Sequence, residues 1–188
     1  MYASVLVALD GSRNAERALP YVEPLLRAAK AKAILLQVLP PGEPVPEAAA
    51  EAYLEKAAAR LEGRGVRVKT EVATGDPATS ILRAAERLKA DLVVFTSHGE
   101  GGLGRWVFGS VAQKILRGCS RPLLVVPALD PLKQEVRRIL VPLDGAVASE
   151  VTLPHAFDAA RAWGASVTLL HVVSEKGGHF GASLGVAE

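Results

Sequence analysis

The residues best suited to chemistry lie in a glycine-rich segment, Ser97 to Ser110, which reads SHGEGGLGRWVFGS. The segment holds five glycines, and a helical pattern begins at Ser110. A helix N-terminus exposes unpaired N–H groups and the positive end of the helix dipole. Glycines let the backbone approach a phosphate closely. The segment is therefore predicted to bind an anion, and the phosphate chain of a nucleotide is the anion that suits it best.

Two well-known phosphate motifs are imitated in this segment but not completed. Gly99, Gly101 and Gly104 satisfy G-x-G-x-x-G, but the dinucleotide fingerprint follows the first strand and opens its helix directly. Gly104, Gly109 and Ser110 resemble the glycines and the serine of a P-loop, but the lysine that a P-loop has directly before its serine is missing. P-loop phosphoryl transfer depends on that lysine. The histidines show no metal-ligand spacing and no arrangement with a nucleophile, so zinc and acyl-transfer chemistry are not predicted.

Asp10 is the second candidate for chemistry. It follows an apolar run, Val5–Leu9, and precedes Gly11 and Ser12. One interpretation is a ligand-binding carboxylate at the end of a strand. The other is a turn or helix cap, which is the commonest use of aspartate before glycine and serine. Both interpretations stay open on the sequence alone.

The elements that must position these residues follow from periodicity. Apolar, β-branched runs alternate with helical patterns, which predicts parallel strands joined by right-handed helical crossovers. We predict an α/β fold, a Rossmann-like open parallel five-stranded sheet with helices on both faces. Ligands bind such sheets outside the carboxyl ends of the strands. The predicted strands are Val5–Leu9, Ala33–Leu39, Val66–Val72, Asp91–Thr96 and Pro122–Pro127.

The chain also repeats itself. Residues 5–39 and 139–173 align without a gap at an offset of 134, with 14 identical positions of 35. We interpret this match as a tandem duplication whose second copy is incomplete. The predicted organisation is a nucleotide-binding domain over residues 1–127, a linker over 128–138, a partial strand–helix–strand repeat over 139–174 and a disordered tail over 175–188. Pro20 is predicted to bend the first helix from within.

Composition limits the remaining possibilities. The 188 residues are 49% hydrophobic and 22% charged, with a net charge of +2 and one cysteine. These values exclude a disulfide scaffold and a mainly disordered chain. They give no indication of nucleic-acid or membrane binding. Because no signal peptide is evident, we expect a cytoplasmic protein.

The first copy resembles a universal stress protein domain. The resemblance rests on VALDGS (Val7–Ser12), GSVAQKIL (Gly109–Leu116) and PLLVVP (Pro122–Pro127). The family's ATP-binding pattern is G-x-x-G, nine residues, then G-S or G-T. Here Gly99 is followed by nine residues and then by Gly109 and Ser110, whereas Thr96 stands in place of the first glycine.

The resemblance implies a site for ATP, with Mg²⁺ bridging its phosphates. It implies that Ala8, Leu9 and Asp10 line the ribose and adenine pocket and that the Val38 backbone meets the adenine edge. It also implies that the phosphates are held by backbone N–H groups together with the Ser110 hydroxyl. These N–H groups belong to Gly99, Gly109, Ser110 and Val111. Ser97 and His98 lie near this group.

The implied function is that of a stress or regulatory protein that holds ATP, and the implied partners are an adenine nucleotide and a second copy paired through Leu123–Val126. We expect no catalysis beyond weak ATP hydrolysis. Two alternatives remain: an interaction module of the same fold in which Thr96 closes the site, and a slow ATPase.

Overall fold

The computed structural model describes residues 2–42, 44–97, 108–127, 135–174 and 180–187, with the side chains of 173, 174 and 180–187 left aside. The chain divides into two compact units, one within Tyr2–Leu132 and one within Lys133–Glu188. None of the helices in the described ranges is long and apolar enough to cross a bilayer.

The first unit alternates strands and helices. Its elements are β1 (Ser4–Leu9), a short 3₁₀ turn (Ala15–Ala18), α1 (Leu19–Ala29), β2 (Lys32–Leu39), α2 (Glu47–Glu62), β3 (Arg67–Thr74), α3 (Pro77–Arg87), β4 (Leu92–Thr96), α4 (Ser110–Gly118) and β5 (Leu123–Val126).

The five strands of this unit form one parallel sheet in the order β3-β2-β1-β4-β5. This confirms the predicted fold class. β1 lies at the centre, with β2 on one side and β4 on the other, so the strand order reverses beside β1. The register places Leu9 opposite Gln37 and Thr96 opposite Val126. The carboxyl ends of β1, β2 and β4 therefore meet at one edge, where open α/β sheets bind ligands.

Both faces of this sheet are covered. The evidence is that consecutive strand residues, whose side chains point to opposite faces, are buried to the same extent. Leu6 and Leu36 belong to a cluster with the apolar side chains of α3 and α4. Val7 and Leu35, which alternate with them, are also fully buried. Side chains alternate across a strand, so a second layer must cover Val7 and Leu35. This burial explains why the strands read as continuous apolar runs.

The positions of the prolines in the first helix differ from the prediction. Pro20 was expected to bend the helix from within, but it lies in the first turn of α1, after the separate 3₁₀ turn. A proline is tolerated there because the first N–H groups of a helix have no partner inside it. Pro24 is the proline inside α1.

The second unit repeats the start of the first. It consists of β6 (Arg138–Leu143), α5 (Val147–Glu150), α6 (Leu153–Trp163), β7 (Ser166–Ser174) and β8 (Phe180–Ala187). Its sheet has the order β6-β7-β8. β6 and β7 are parallel, like β1 and β2, and β8 pairs antiparallel with β7. The predicted disordered tail covers 175–188, and over 180–187 the structure differs from it, because the backbone of β8 pairs with β7. Residues 175–179 and 188 lie outside the described residues.

Candidate functional site

A cleft of about 380 Å³ lies at the carboxyl ends of the central strands. Its lining comes from the segments that follow β1, β2 and β4, together with the starts of α3 and α4. Ligand pockets for small molecules range upward from about 300 Å³, so this volume is sufficient for one. The cleft occupies the edge that the topology predicts for ligand binding.

Eight of the ten predicted site residues line this one cleft, although they come from segments about a hundred residues apart in the chain. The other two, His98 and Gly99, lie outside the described residues. The eight are Ala8, Leu9, Asp10, Val38, Ser97, Gly109, Ser110 and Val111.

The turn after β1 fixes Asp10 directly after the carboxyl end of that strand. The backbone N–H of Ser12 donates to Asp10 Oδ1 at 2.9 Å. The Ser12 hydroxyl oxygen in turn accepts from the backbone N–H of Ala15 at 3.0 Å. Gly11 has a φ of +86°, which suits glycine because it lacks a Cβ. Asp10 therefore closes a turn and lines the cleft at once, and the two interpretations of this residue are compatible.

The start of α4 is fixed against the end of β4. The backbone N–H of Gly109 donates to the Ser97 carbonyl at 3.1 Å, and the N–H of Ser97 donates to the Val126 carbonyl at 2.9 Å. Gly109 occupies the N-cap position of α4, so Ser110 and Val111 are its first helical residues. The N–H groups of a first helical turn have no partner inside the helix. They are suited to bind an anion in the cleft.

An apolar wall faces these polar groups. Leu36, Val38 and Phe95 contribute it from the strands, and Ile81 and Ile115 contribute it from α3 and α4. All of them belong to the core cluster between the sheet and these two helices. A flat aromatic base would bury its faces against such side chains. The cleft is thus apolar at its base and polar at its rim.

Asp10 places a negative charge at one end of the cleft. Asp10 is the charged residue among the described lining residues. Burial raises the pKa of the Tyr53 hydroxyl, and the neighbouring carboxylates of Glu16 and Asp10 raise it further. Tyr53 therefore stays neutral at physiological pH. A ligand that approaches Asp10 meets negative potential, which favours hydroxyl or cationic groups at that point.

The N-terminus of α3 borders the same cleft through Pro77. Asp76 caps this helix, accepting from the backbone N–H of Thr79 at 3.0 Å and from its hydroxyl at 2.7 Å. The ammonium of Lys114 on α4 lies 3.3 Å from the other carboxylate oxygen. These bonds lower the pKa of Asp76 to about 2, with the Thr79 hydroxyl contributing most. The pair connects the two helices that form one wall.

Sequence reasoning missed Gln37. This residue is 5% exposed, lines the cleft and has a side-chain oxygen that is buried without a hydrogen-bond partner among the described residues. Its signal was a single amide in the otherwise apolar run ILLQVL. Thr96, which stands where the family pattern has glycine, also lines the cleft. Ala15, Pro77 and Ile81 are further lining residues that the motifs did not indicate.

The fold and this cleft define an open parallel α/β domain with a ligand cleft at the carboxyl ends of its strands, and comparison with known proteins identifies the family. The model of the universal stress protein family matches residues 1–127 and 135–181. The chain belongs to the universal stress protein family. A universal stress protein of Thermus aquaticus is 32% identical over 139 residues, covering 67% of this chain and 99% of that protein. One of Mycolicibacterium smegmatis is 36% identical over 112 residues, covering 59% of this chain and 37% of that protein.

Solved structures agree with this assignment. A universal stress protein crystallised in complex with cAMP is 26% identical, with a TM-score of 0.56, covering 68% of this chain and 98% of that one. A universal stress protein from Archaeoglobus fulgidus DSM 4304 is 21% identical, with a TM-score of 0.71 over 93% of this chain and 68% of that one. The second likeness shows the fold over both units. The chain also spans less than half of the Mycolicibacterium smegmatis relative.

Proposed function

We propose that the first unit binds an adenine nucleotide, ATP, in the cleft at the carboxyl ends of β1, β2 and β4. The supporting observation is that eight residues predicted from three separate segments line a single cleft of about 380 Å³. The related protein crystallised with cAMP supports an adenine nucleotide as the ligand class. The proposed role is that of a stress or regulatory protein that holds the nucleotide.

Each part of the nucleotide has a matching surface in the cleft. The adenine would pack on the apolar wall beside Val38. The ribose hydroxyls would donate to the Asp10 carboxylate, which carries the negative charge at that end of the cleft. The phosphates would accept from the N–H groups of Ser110 and Val111 at the start of α4. The residues present therefore suit the nucleotide in size, polarity and order.

A metal ion would depend mainly on the nucleotide. Within the described part of the chain, no group of three or more acidic, histidine or cysteine side chains could hold one. Mg²⁺ commonly binds through substrate phosphates and water with one or two protein ligands, so it would enter as MgATP. The described lining also supplies no lysine to the phosphates, which favours holding the nucleotide over rapid phosphoryl transfer.

The experiment is a calorimetric titration of the full chain with MgATP. Asp10→Asn should weaken binding about tenfold, which is the loss of one charge-assisted hydrogen bond. Asp144→Asn is the matched control, because Asp144 is the repeat equivalent of Asp10 and closes the same turn onto Ala146 N–H at 2.9 Å. The proposal fails if no saturable binding occurs at millimolar MgATP, or if the two variants weaken binding equally.

We also propose that two copies associate through β5. This strand lies at one end of the sheet order, and an edge strand offers unpaired N–H and C=O groups to a partner. Leu124→Lys should weaken the pairing, since edge lysines oppose strand association. Cross-linking yield between copies, compared with wild type at equal concentration, measures this contact. An unchanged yield would contradict it.

A further inference from the structure

Gln37 is a polar side chain of the cleft to which the proposed nucleotide contacts give no part. It is 5% exposed, and its Oε1 is buried with no hydrogen-bond partner among the described residues. The other buried polar residue in the described ranges, Ser12, uses its hydroxyl to accept from Ala15 N–H at 3.0 Å. An unpartnered buried oxygen lowers stability, so an apolar residue would serve packing better at position 37. The presence of an amide there points to a role in the site.

The Gln37 side chain lies against the turn that carries Asp10. In the sheet register Gln37 is opposite Leu9, the residue that directly precedes Asp10. A Cβ added at Gly11 would lie 3.4 Å from the Gln37 amide nitrogen, so the amide is in contact with the glycine of that turn. Gln37 and Asp10 also line the same cleft. The amide is therefore placed to hold the backbone that fixes the Asp10 carboxylate.

The second unit has the same arrangement. At the repeat offset of 134, His171 occupies the position of Gln37. It lies against the turn glycine of its own unit, since a Cβ added at Gly145 would lie 3.4 Å from His171 Cε1. The Nδ1–H of His171 donates to the carbonyl of Leu143, the last residue of β6, at 2.9 Å. A side chain that can form hydrogen bonds thus touches the turn glycine in both copies, and in the second copy it holds the end of the strand from which the turn starts.

The two turns above these side chains have the same geometry. The backbone N–H two residues after the aspartate donates to its Oδ1 at 2.9 Å, at Asp10 and at Asp144. The glycines that follow have similar left-handed φ values, +86° at Gly11 and +81° at Gly145. Asp144 is not among the residues of the described cleft, yet the contact beneath its turn is present. The recurrence therefore favours a role of the buried side chain toward the turn over a contact with ligand.

We propose that Gln37 is a positioning residue for Asp10: its amide holds the turn after β1, so that the carboxylate is in place before the ribose hydroxyls arrive. The assignment rests on the proposed function, because it concerns how that site is prepared for its ligand. Gln37 acts through the turn and makes no contact of its own with the nucleotide. A carboxylate that is fixed before binding loses little conformational entropy when the ligand binds. The fold carries the unpartnered amide oxygen in exchange, as functional sites commonly do.

The experiment is calorimetric titration of the full chain with MgATP at about pH 8, where histidine is neutral. Gln37→Met keeps the length of the side chain but removes its amide, and it should weaken binding about fivefold, a usual coupling between residues in contact. Gln37→His copies the second unit and should restore the affinity lost in Gln37→Met. Urea unfolding should find Gln37→Met no less stable than wild type, because the variant removes an unpartnered buried oxygen. If Gln37→Met unfolds, Gln37→Leu replaces it with the same expectations.

Coupling to Asp10 distinguishes positioning from direct contact with the nucleotide. In an Asp10→Asn background, Gln37→Met should cause no further loss of affinity, because the carboxylate that Gln37 positions is already absent. An equal loss in both backgrounds would overturn the proposal, since Gln37 would then act without Asp10. Wild-type affinity in Gln37→Met would overturn it as well, and so would a loss in Gln37→His as large as that in Gln37→Met.

The matched control is His171→Met, which makes the corresponding change in the second unit. It should leave the MgATP affinity at the wild-type value, because Asp144 is not among the residues of the described cleft. An equal loss in this control would overturn the proposal. If wild type shows no saturable binding, the proposed function and the role of Gln37 fail together. If wild type binds MgATP and Gln37→Met binds it equally well, the role of Gln37 alone fails.

Discussion

At the scale of single residues, the duplication distinguishes two roles of the aspartate after the first strand: closing a turn and lining the cleft. Asp10 and Asp144 close the same turn, each accepting at 2.9 Å from the N–H two residues later. Only Asp10 belongs to the described cleft. Loss of the turn bond should therefore have a similar structural cost in both copies, whereas loss of a ligand contact should appear at Asp10 alone. The second copy thus serves as an internal control for the first.

Thr96 is the residue at which the proposed site departs from the family pattern. It lines the cleft at the end of β4. If the cleft binds nucleotide with threonine present, Thr96→Gly should change the MgATP affinity by no more than about threefold, while glycine lowers stability by about 0.5–1 kcal/mol through backbone entropy. Calorimetric titration measures the affinity and urea unfolding the stability, with Thr96→Ser as the control. A gain of a hundredfold or more would show that threonine closes the native cleft.

At the scale of elements, the sequence predicted strands and helices where local periodicity agrees with burial. The runs at β1, β2 and β4 are apolar because both faces are covered, and their continuous hydrophobicity is visible in the sequence. The cap at Asp76 was predictable because aspartate before proline is a local signal. β8 was not predicted, because its sequence FGASLGVA contains two glycines and gives little strand signal of its own. It is a strand because it pairs antiparallel with β7, the strand just before it in the chain, with Ser174 opposite Phe180.

The cleft was predictable only in part, for a related reason. Loops that follow neighbouring parallel strands meet at one edge, so topology brings Asp10 near Gly109 and Ser110. Which wall residues face that edge depends on the packing of α3 and α4, and no motif carries this information. Gln37 alternates with Leu36 and Val38, which pack against α3 and α4, so it lies on the other face of β2. Its place depends on the turn after β1, since a Cβ added at Gly11 would lie 3.4 Å from the Gln37 amide nitrogen. No motif carries that information either.

Helix α4 should derive its stability from one buried face. Ile115 is 0% exposed in the cluster with α3 and the sheet, whereas its neighbour Leu116 is 40% exposed. Ile115→Ala should lower the free energy of unfolding by about 2–5 kcal/mol, because it leaves a cavity. Leu116→Ala should change it by about 1 kcal/mol or less. Urea unfolding compares the two, and equal losses would contradict the packing described for α4.

The cap of α3 should make the first unit sensitive to acid. The pKa of Asp76 lies at about 2, below its usual 3.8, so its contribution to stability is full above pH 3.8 and is lost as the pH falls toward 2. Asp76→Asn keeps a good N-cap but does not titrate. Relative to this variant, the wild type should lose melting temperature between about pH 4 and pH 2. Parallel melting curves across this range would contradict the assignment.

At the scale of the whole molecule, the two units have separate cores of different size. The first contains the buried strands and the cluster with α3 and α4. Among the side chains described in the second unit, three form its buried core: Val141, Ala160 and Val167. A unit with so little buried apolar surface is marginally stable by itself. We therefore expect two thermal transitions, the lower one belonging to the second unit.

Nucleotide should move one of these transitions and not the other. MgATP at a hundred times its Kd should stabilise the first unit by about 2.7 kcal/mol through mass action, and should leave the lower transition in place. Differential scanning calorimetry measures the shift, and Asp10→Asn should reduce it at the same MgATP concentration. A single transition that rises with MgATP would contradict this division, since one cooperative core would then underlie both units.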